Sequence, residues 1–399
     1  MRLLNPTPNN KLSLPVPADD ALAASCALQQ LIRAEIAANA GWISFARYME
    51  LALYAPRLGY YSGGAAKLGK DGDFTTAPEM SALFGITLAH VCARLFAQTS
   101  ANIMEFGAGT GRLAFDILSE YQQAGISIER YFIVELSGEL RSRQEDLLKD
   151  FPQVSWLQAM PEAFSGVVLG NEVLDAMPVH LVVKGEHAWA ECGVSVAGEE
   201  VDAHFVLSER ACDVGLVAQI PDAENLPVGY LTEVHPVAMG FMRSLAQMLL
   251  SGRQANGKGA AAILLDYGFP CSEYYLEQRE QGTLMCHYRH HAHPDPFYLP
   301  GLQDITAHVD FTAMAQAGLD AGLDLLLYTS QAGFLLEAGL AQFLQRTSTD
   351  DPMQYLPKAN AVQKLISPAE MGELFKVLVL GCGVELPAEL LRHDRSHRL

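Results

Sequence analysis

The chain has no paired-cysteine motif. Its seven cysteines, Cys26, Cys92, Cys192, Cys212, Cys271, Cys286 and Cys382, are odd in number and scattered, and no two stand in a C-x-x-C spacing. That pattern excludes a disulfide framework and a zinc ribbon and points to a reducing compartment. Basic charge is also scarce: 27 Lys and Arg stand against 46 Asp and Glu, a formal net charge of −19, with no basic block. Nucleic acid is therefore a poor partner, because phosphate binding needs a positive footprint. No run of about 18 residues is both apolar and uncharged, so no membrane span is expected. The most apolar stretch, Leu323 to Leu344, is broken by Asp324, Thr329, Ser330, Gln331, Glu337 and Gln342. The first twenty residues combine Arg2 and Lys11 with Asp19, Asp20 and four prolines. Neither a signal peptide nor an Arg-rich transit peptide has that composition, and the expected location is the cytoplasm. Internal repeats and low-complexity tracts are absent.

What is present is ample core material, with 399 residues, half of them hydrophobic. This suits two domains, or one large α/β domain with insertions. The acidic excess favours cationic partners, including Arg-rich segments of other proteins, although solubility alone would also account for it. Residues 1–19 read as a Pro/Asn-rich unpacked leader. Leu28, Leu31, Ile32 and Ile36 then give a helical face, and Ser44 is placed to cap a helix carrying Phe45, Tyr48, Met49 and Leu51. A Gly/Thr/Pro-rich loop over 59–80 leads to a helix from about Ser81 to Gln98.

From Ala101 onward seven short apolar runs alternate with helical patterns: Ile103–Phe106, Tyr131–Val134, Val154–Leu157, Val167–Leu169, Ala261–Leu265, Leu323–Tyr328 and Phe375–Leu380. Runs that lack alternation and are spaced by helices predict a mostly parallel sheet covered on both faces, an α/β fold. Val179 to Leu207 does alternate and reads as an antiparallel insertion. Residues 267–310 are long, irregular and rich in His, Pro, Tyr and Asp, a length that implies function. The resulting division is a helical N-terminal segment 1–100, a Rossmann-like core 101–178, the insertion 179–230, and the remainder of the core 231–399 with the cleft loop 267–310.

Chemistry begins at the first strand, where IMEFGAGTGRL sets Glu105, Gly107, Gly109 and Gly111 in an E-x-G-x-G-x-G pattern between strand and helix. Glycines there permit positive φ and close approach of a ligand to the backbone. The dinucleotide fingerprint G-x-G-x-x-G would need glycine at Arg112 and fails. The shorter spacing, with an acid two residues before the first glycine, suits S-adenosylmethionine, whose sulfonium and ammonium are cationic. Glu135 ends the second strand and is placed to accept hydrogen bonds from both ribose hydroxyls. A glycine turn followed by an exposed capping Glu is the bland alternative.

The fourth strand ends VVLGNEVLDAMPVH, bringing Asn171, Glu172 and Asp175 to the same edge of the sheet. Two carboxylates there can grip a guanidinium in a bidentate fork. Alternatively, Asn171 and Asp175 cap the turn that follows. Asp266 and Tyr267, at the end of the fifth strand, take a similar place.

With these residues in hand, the chain resembles the MidA family of class I methyltransferases, which includes the mitochondrial complex I assembly-factor arginine methyltransferase. The pieces that carry the resemblance are YMELALYAPRLGYYS, GDFTTAPEMSALFG, EFGAGTGRL, GNEVLDAMPVH, LLDYGF, GTLMCHYRHHAHPDPFYLPGLQDITAHVDF and TSQAGFLLEAGL. They span most of the chain from about Phe45 to Leu340. The resemblance implies a Rossmann-like fold with a seven-stranded sheet, S-adenosylmethionine as cofactor, and methyl transfer to arginine of a protein, an NADH dehydrogenase subunit being one candidate. It also makes GDFTTAPEMSALFG, with Asp73, Phe74, Thr76, Pro78, Glu79 and Ser81, a lid or floor for the cofactor. Family members often carry proline where this chain has Ala108. Without a mitochondrial transit sequence, a bacterial cytoplasmic member is expected.

Cys286, His287, His290, His291 and His293 fit no standard zinc spacing, so no metal is expected and a substrate-cleft loop is the better reading. His235 is a candidate that the sequence does not separate from a structural role. Three further functions stay open: methylation of a small molecule or another side chain, a cofactor-binding assembly chaperone, and, weakest because of Arg112, an oxidoreductase.

Overall fold

The computed structural model describes residues 3–4, 14–63, 76–199 and 202–399. Most of the expected leader lies outside the described residues, as do Asp73 and Phe74. The chain forms two compact units of discontinuous sequence: one takes residues 1–74, 175–239 and 271–308, the other 75–174, 240–270 and 309–399.

The second unit contains, in chain order, α1 (Ala82–Leu95), β1 (Asn102–Phe106), α2 (Arg112–Ala124), β2 (Arg130–Val134), α3 (Gly138–Leu147), β3 (Val154–Leu157), β4 (Val167–Asn171), β5 (Ala260–Phe269), β6 (Val309–Asp310), β7 (Asp324–Ser330) and β8 (Phe375–Cys382), together with further helices. The sheet order is β7-β8-β5-β4-β1-β2-β3, and β6 pairs in parallel with the end of β5. Strands β1 to β5 are mutually parallel, whereas β8 runs antiparallel to both β5 and β7. Each of the seven apolar runs falls on a strand of this sheet, the sixth starting one residue early at Leu323, but the expected number of seven is one too few. The eighth, Val309–Asp310, is two residues long, too short for any hydrophobic period to register.

Both faces of this sheet are covered, which is why its strands lack alternation. Consecutive residues such as Ile103 and Met104, Val167 to Leu169, and Ala260 to Leu265 are all buried. On one face Ile103, Ile133, Leu169, Ile263 and Val379 pack with Leu83, Phe84, Leu88 and Val91 of α1 and Leu113, Ile117 and Tyr121 of α2, each large apolar side chain contributing roughly 1.5–3 kcal/mol. The start of α1 is set by Ser81, whose hydroxyl accepts from Leu83 N at 3.2 Å. Glycine bounds α2 at both ends: Gly111 precedes it, and Gly125, at φ 67°, closes it by donating to Tyr121 O.

The first unit is built on an antiparallel sheet in which His204–Ala211, Trp189–Ala197, His180–Lys184 and Leu231–Val234 lie side by side in that order. Helices Asp19–Ala38 and Phe45–Tyr54 share its core, and Ser44 Oγ accepts from Arg47 N at 3.1 Å as the expected cap. The buried face of the first helix runs through Leu28, Ile32 and Ile36, while Leu31, expected on that face, is an exposed large hydrophobic. Residues 267–310 are more ordered than their composition suggests. They include a three-stranded antiparallel sheet of His291–His293, Met285–Tyr288 and Asp304–Thr306.

Candidate functional site

The loop between β1 and α2 carries three glycines in the left-handed region, Gly107 at φ 65°, Gly109 at 54° and Gly111 at 87°, a conformation that L side chains adopt only with strain. Space is short as well: a Cβ on Gly107 would lie 2.9 Å from Val173 Cγ2, and one on Gly111 3.2 Å from Gln144 Cγ. Gly111 brings no side chain to cap the first turn of α2, so the amides there are left for water or an anion. Thr110 donates to Glu79 of the Ala77–Met80 turn, which ties the segment holding Thr76 and Pro78 to the glycine loop. Arg112, the residue that breaks the dinucleotide pattern, pairs along its own helix with Asp116 at 2.9 Å.

Two acids flank this loop. Glu105 is buried within β1, and its Oε2 accepts from Tyr131 OH at 2.6 Å. Burial pushes its carboxyl up to about 7; the Tyr131 hydrogen bond opposes that rise and the charge of Glu135 adds to it. Glu135, just beyond β2, is also raised, chiefly by burial, against the hydrogen bonds it accepts. Its Oε1 accepts from Ser137 N at 2.7 Å and its Oε2 from Gln144 Nε2 at 2.9 Å. The next residue, Leu136, is 79% exposed, an apolar side chain of the kind a flat base can cover. The residues present therefore fit an adenosyl cofactor: a backbone loop open to close approach, a fixed carboxylate for a diol, and an uncovered apolar side chain beside it.

At the end of β4, Glu172 adopts φ 54°, which is unusual for a residue with a side chain. Its N–H donates to Leu265 O at 2.9 Å, and its Oε1 accepts from Asn171 Nδ2 at 3.0 Å. The turn is buttressed by buried Asp266, whose Oδ2 accepts from Val173 N and Leu174 N at 3.1 and 2.9 Å. The capping role that Asn171 or Asp175 could have taken for those two amides thus belongs to Asp266, a residue from the neighbouring strand. Asn171 Oδ1 is buried and has no hydrogen-bond partner among the described residues.

The second unit thus brings together Thr76, Pro78, Glu105, Gly107, Gly109, Gly111, Glu135, Asn171 and Glu172, whereas Asp175 belongs to the first. There Asp175 is buried, its carbonyl accepts from Ala307 N at 3.0 Å, and its charge contributes to the raised pKa values of Tyr54 and Tyr61. Tyr54 and Tyr61 are stacked at 5.5 Å, and Tyr61 donates to Asp304.

Sequence reasoning missed Gln144, Tyr131, Leu136 and the buttressing role of Asp266. Gln144 is the one buried residue of α3, a helix otherwise so polar that periodicity gives no cue. His235 is resolved by its neighbours: it is buried, burial lowers its pKa to about 4, and its Nε2 lies 3.0 Å from Tyr274 OH. Tyr274 in turn donates to Glu233 Oε2 at 3.0 Å, so His235 belongs to an internal network of the first unit. In the His-rich segment, Cys286 and His293 are paired in register across a hairpin. Among the described residues, no group of three or more His, Cys, Asp or Glu is placed to hold a metal ion.

A glycine loop between strand and helix, acids at the ends of adjacent parallel strands, and an antiparallel strand in the sheet define the class: an α/β methyltransferase fold. A family model of S-adenosyl-L-methionine-dependent methyltransferases matches residues 85–329, more than half of the chain, and the chain belongs to that family. The structure resembles a COG1565 superfamily member from Burkholderia thailandensis solved with S-adenosyl-homocysteine bound, at 51% identity and a TM-score of 0.89, covering 97% of this chain and 100% of that one. In sequence it is 29% identical over 395 residues to the mitochondrial protein arginine methyltransferase NDUFAF7 of Bos taurus, 90% of this chain and 83% of that protein. The Danio rerio counterpart is 28% identical, over 84% of this chain and 82% of that protein. The cofactor is S-adenosylmethionine.

Proposed function

We propose that the methyl acceptor is the guanidinium of an arginine in a protein partner. The observation that carries this reading is Glu172: a carboxylate directly after a central strand, held in an unfavourable backbone conformation, with one oxygen oriented by Asn171. Strain of that kind, about 1–3 kcal/mol, persists where the surroundings over-determine a residue, and it clusters at functional sites. A carboxylate fixed in this way accepts charge-assisted hydrogen bonds from a planar cation and aligns one nitrogen. When bound, the cofactor supplies an electrophilic methyl group on a cationic sulfonium. What the chain contributes is proximity, alignment and negative charge, and no covalent intermediate on the protein is needed. The net charge of −19 and the similarity to the NDUFAF7 protein arginine methyltransferases support the same acceptor. An NADH dehydrogenase subunit, implied by the family resemblance, is the first partner to try.

The test is incubation with methyl-labelled S-adenosylmethionine and a lysate of the host cell, followed by identification of the labelled protein and residue. Label on arginine is expected, and replacing that arginine by lysine should stop transfer, since an ammonium cannot fill a planar two-pronged site. Glu172→Gln should keep cofactor affinity within about threefold while transfer falls at least ~10²-fold. Label on a residue other than arginine removes this acceptor, and normal turnover by Glu172→Gln removes the carboxylate that is argued to hold it; either leaves the methyltransferase.

A further inference from the structure

We propose that Gln144 is the positioning residue for ribose recognition: it locks Glu135 and the glycine loop into one frame, so that selectivity for the cofactor's vicinal diol depends on an amide that need not touch it. The inference rests on Glu135 receiving the ribose hydroxyls.

Gln144 is fully buried in α3, and its whole amide is engaged. Nε2 donates to Gly109 O at 2.9 Å and to Glu135 Oε2 at 2.9 Å, which uses both of its hydrogens. Oε1 accepts from Trp156 Nε1 at 3.0 Å. An indole nitrogen can only donate, so Trp156 fixes which end of the amide faces it, and Nε2 is left facing two acceptors. The side chain therefore ties together three segments of the site: the glycine loop after β1, the acid after β2, and β3, which carries Trp156. Glu135 is held from both sides, with Oε1 on Ser137 N at 2.7 Å and Oε2 on Gln144. Two fixed oxygens leave one direction for the remaining lone pairs, which is the condition for reading two adjacent hydroxyls together. Gly111 completes the fit, because a Cβ there would meet Gln144 Cγ at 3.2 Å.

The experiment is calorimetric titration of the full chain with S-adenosyl-homocysteine and with its 2′,3′-dideoxy analogue, read as the ratio of the two dissociation constants. In the native chain the ratio should be about tenfold or more, as expected for charge-assisted hydrogen bonds. Gln144→Leu should weaken S-adenosyl-homocysteine about tenfold while barely changing the analogue, so that the ratio falls toward one. Trp156→Phe keeps an aromatic side chain but removes the indole donor and frees the amide to turn, and should lower the ratio part of the way even if Gln144→Leu folds poorly. With methyl transfer as readout, the KM for S-adenosylmethionine should rise while kcat stays within about threefold. A purely structural Gln144 would weaken both ligands equally; a ratio unchanged in both variants therefore overturns the proposal. A ratio near one in the native chain overturns the ribose role of Glu135 itself, and this proposal with it.

Discussion

Glu105 gives the cleanest quantitative test of how the candidate cofactor site is built. Its carboxyl is raised from an ordinary 4.5 to about 7 by burial, which at about 1.4 kcal/mol per factor of ten amounts to about 3 kcal/mol. Because this acid is raised, its contribution to stability is complete below pH 4.5, where folded and unfolded forms are both protonated. It is lost as pH climbs toward and through about 7, because the unfolded chain ionises first. Glu105→Gln cannot ionise, yet it can still accept from Tyr131. Chemical denaturation of both proteins at pH 4.5 and pH 8 should show the variant gaining on the parent by about 3 kcal/mol across that interval. The difference between the two proteins cancels the titration of histidines and exposed acids. Binding should show the converse: ionised Glu105 favours a cationic ligand, so affinity for S-adenosylmethionine relative to neutral-sulfur S-adenosyl-homocysteine should rise through pH 7 in the parent and stay flat in the variant. A stability difference that does not change with pH would refute the buried, raised acid and the charge argument built on it.

Glu172→Gly should release the strain of φ 54° and raise stability by about 0.5–1 kcal/mol, net of the added freedom of the unfolded chain, while methyl transfer collapses; a variant less stable than the parent would contradict the strained assignment. In the first unit, Glu233 is fully buried and accepts from Thr283 N, Leu284 N, Thr283 Oγ1 and Tyr274 OH. Glu233→Ala should therefore cost at least ~3 kcal/mol in urea denaturation by stranding buried donors, and a loss below about 1 kcal/mol would show that water replaces the carboxylate.

What could be read from the sequence, and what could not, divides along a physical line. Strands buried on both faces leave continuous apolar runs, and all seven such runs are strands of one sheet. Left-handed glycines leave a spacing, and Gly107, Gly109 and Gly111 each have positive φ. Polar side chains whose partners are remote leave neither kind of trace. Gln144 meets Gly109, 35 residues away, and Trp156, 12 away, and it sits among charged neighbours that mark its helix as solvated. The hairpin between Met285–Tyr288 and His291–His293 was hidden for another reason. Its two turn residues, Arg289 and His290, both have positive φ, where the usual signal would be Asn-Gly. Glu172 combines the two situations. Its place at the end of a strand follows from the apolar run before it, whereas its left-handed backbone is held by Leu265 O on its amide and by Asp266 on the two amides that follow. A residue kept in a costly conformation by its neighbours can be recognised only when those neighbours are seen, and the sequence places Glu172 and Asp175 three residues apart on one edge without showing which of them is so held.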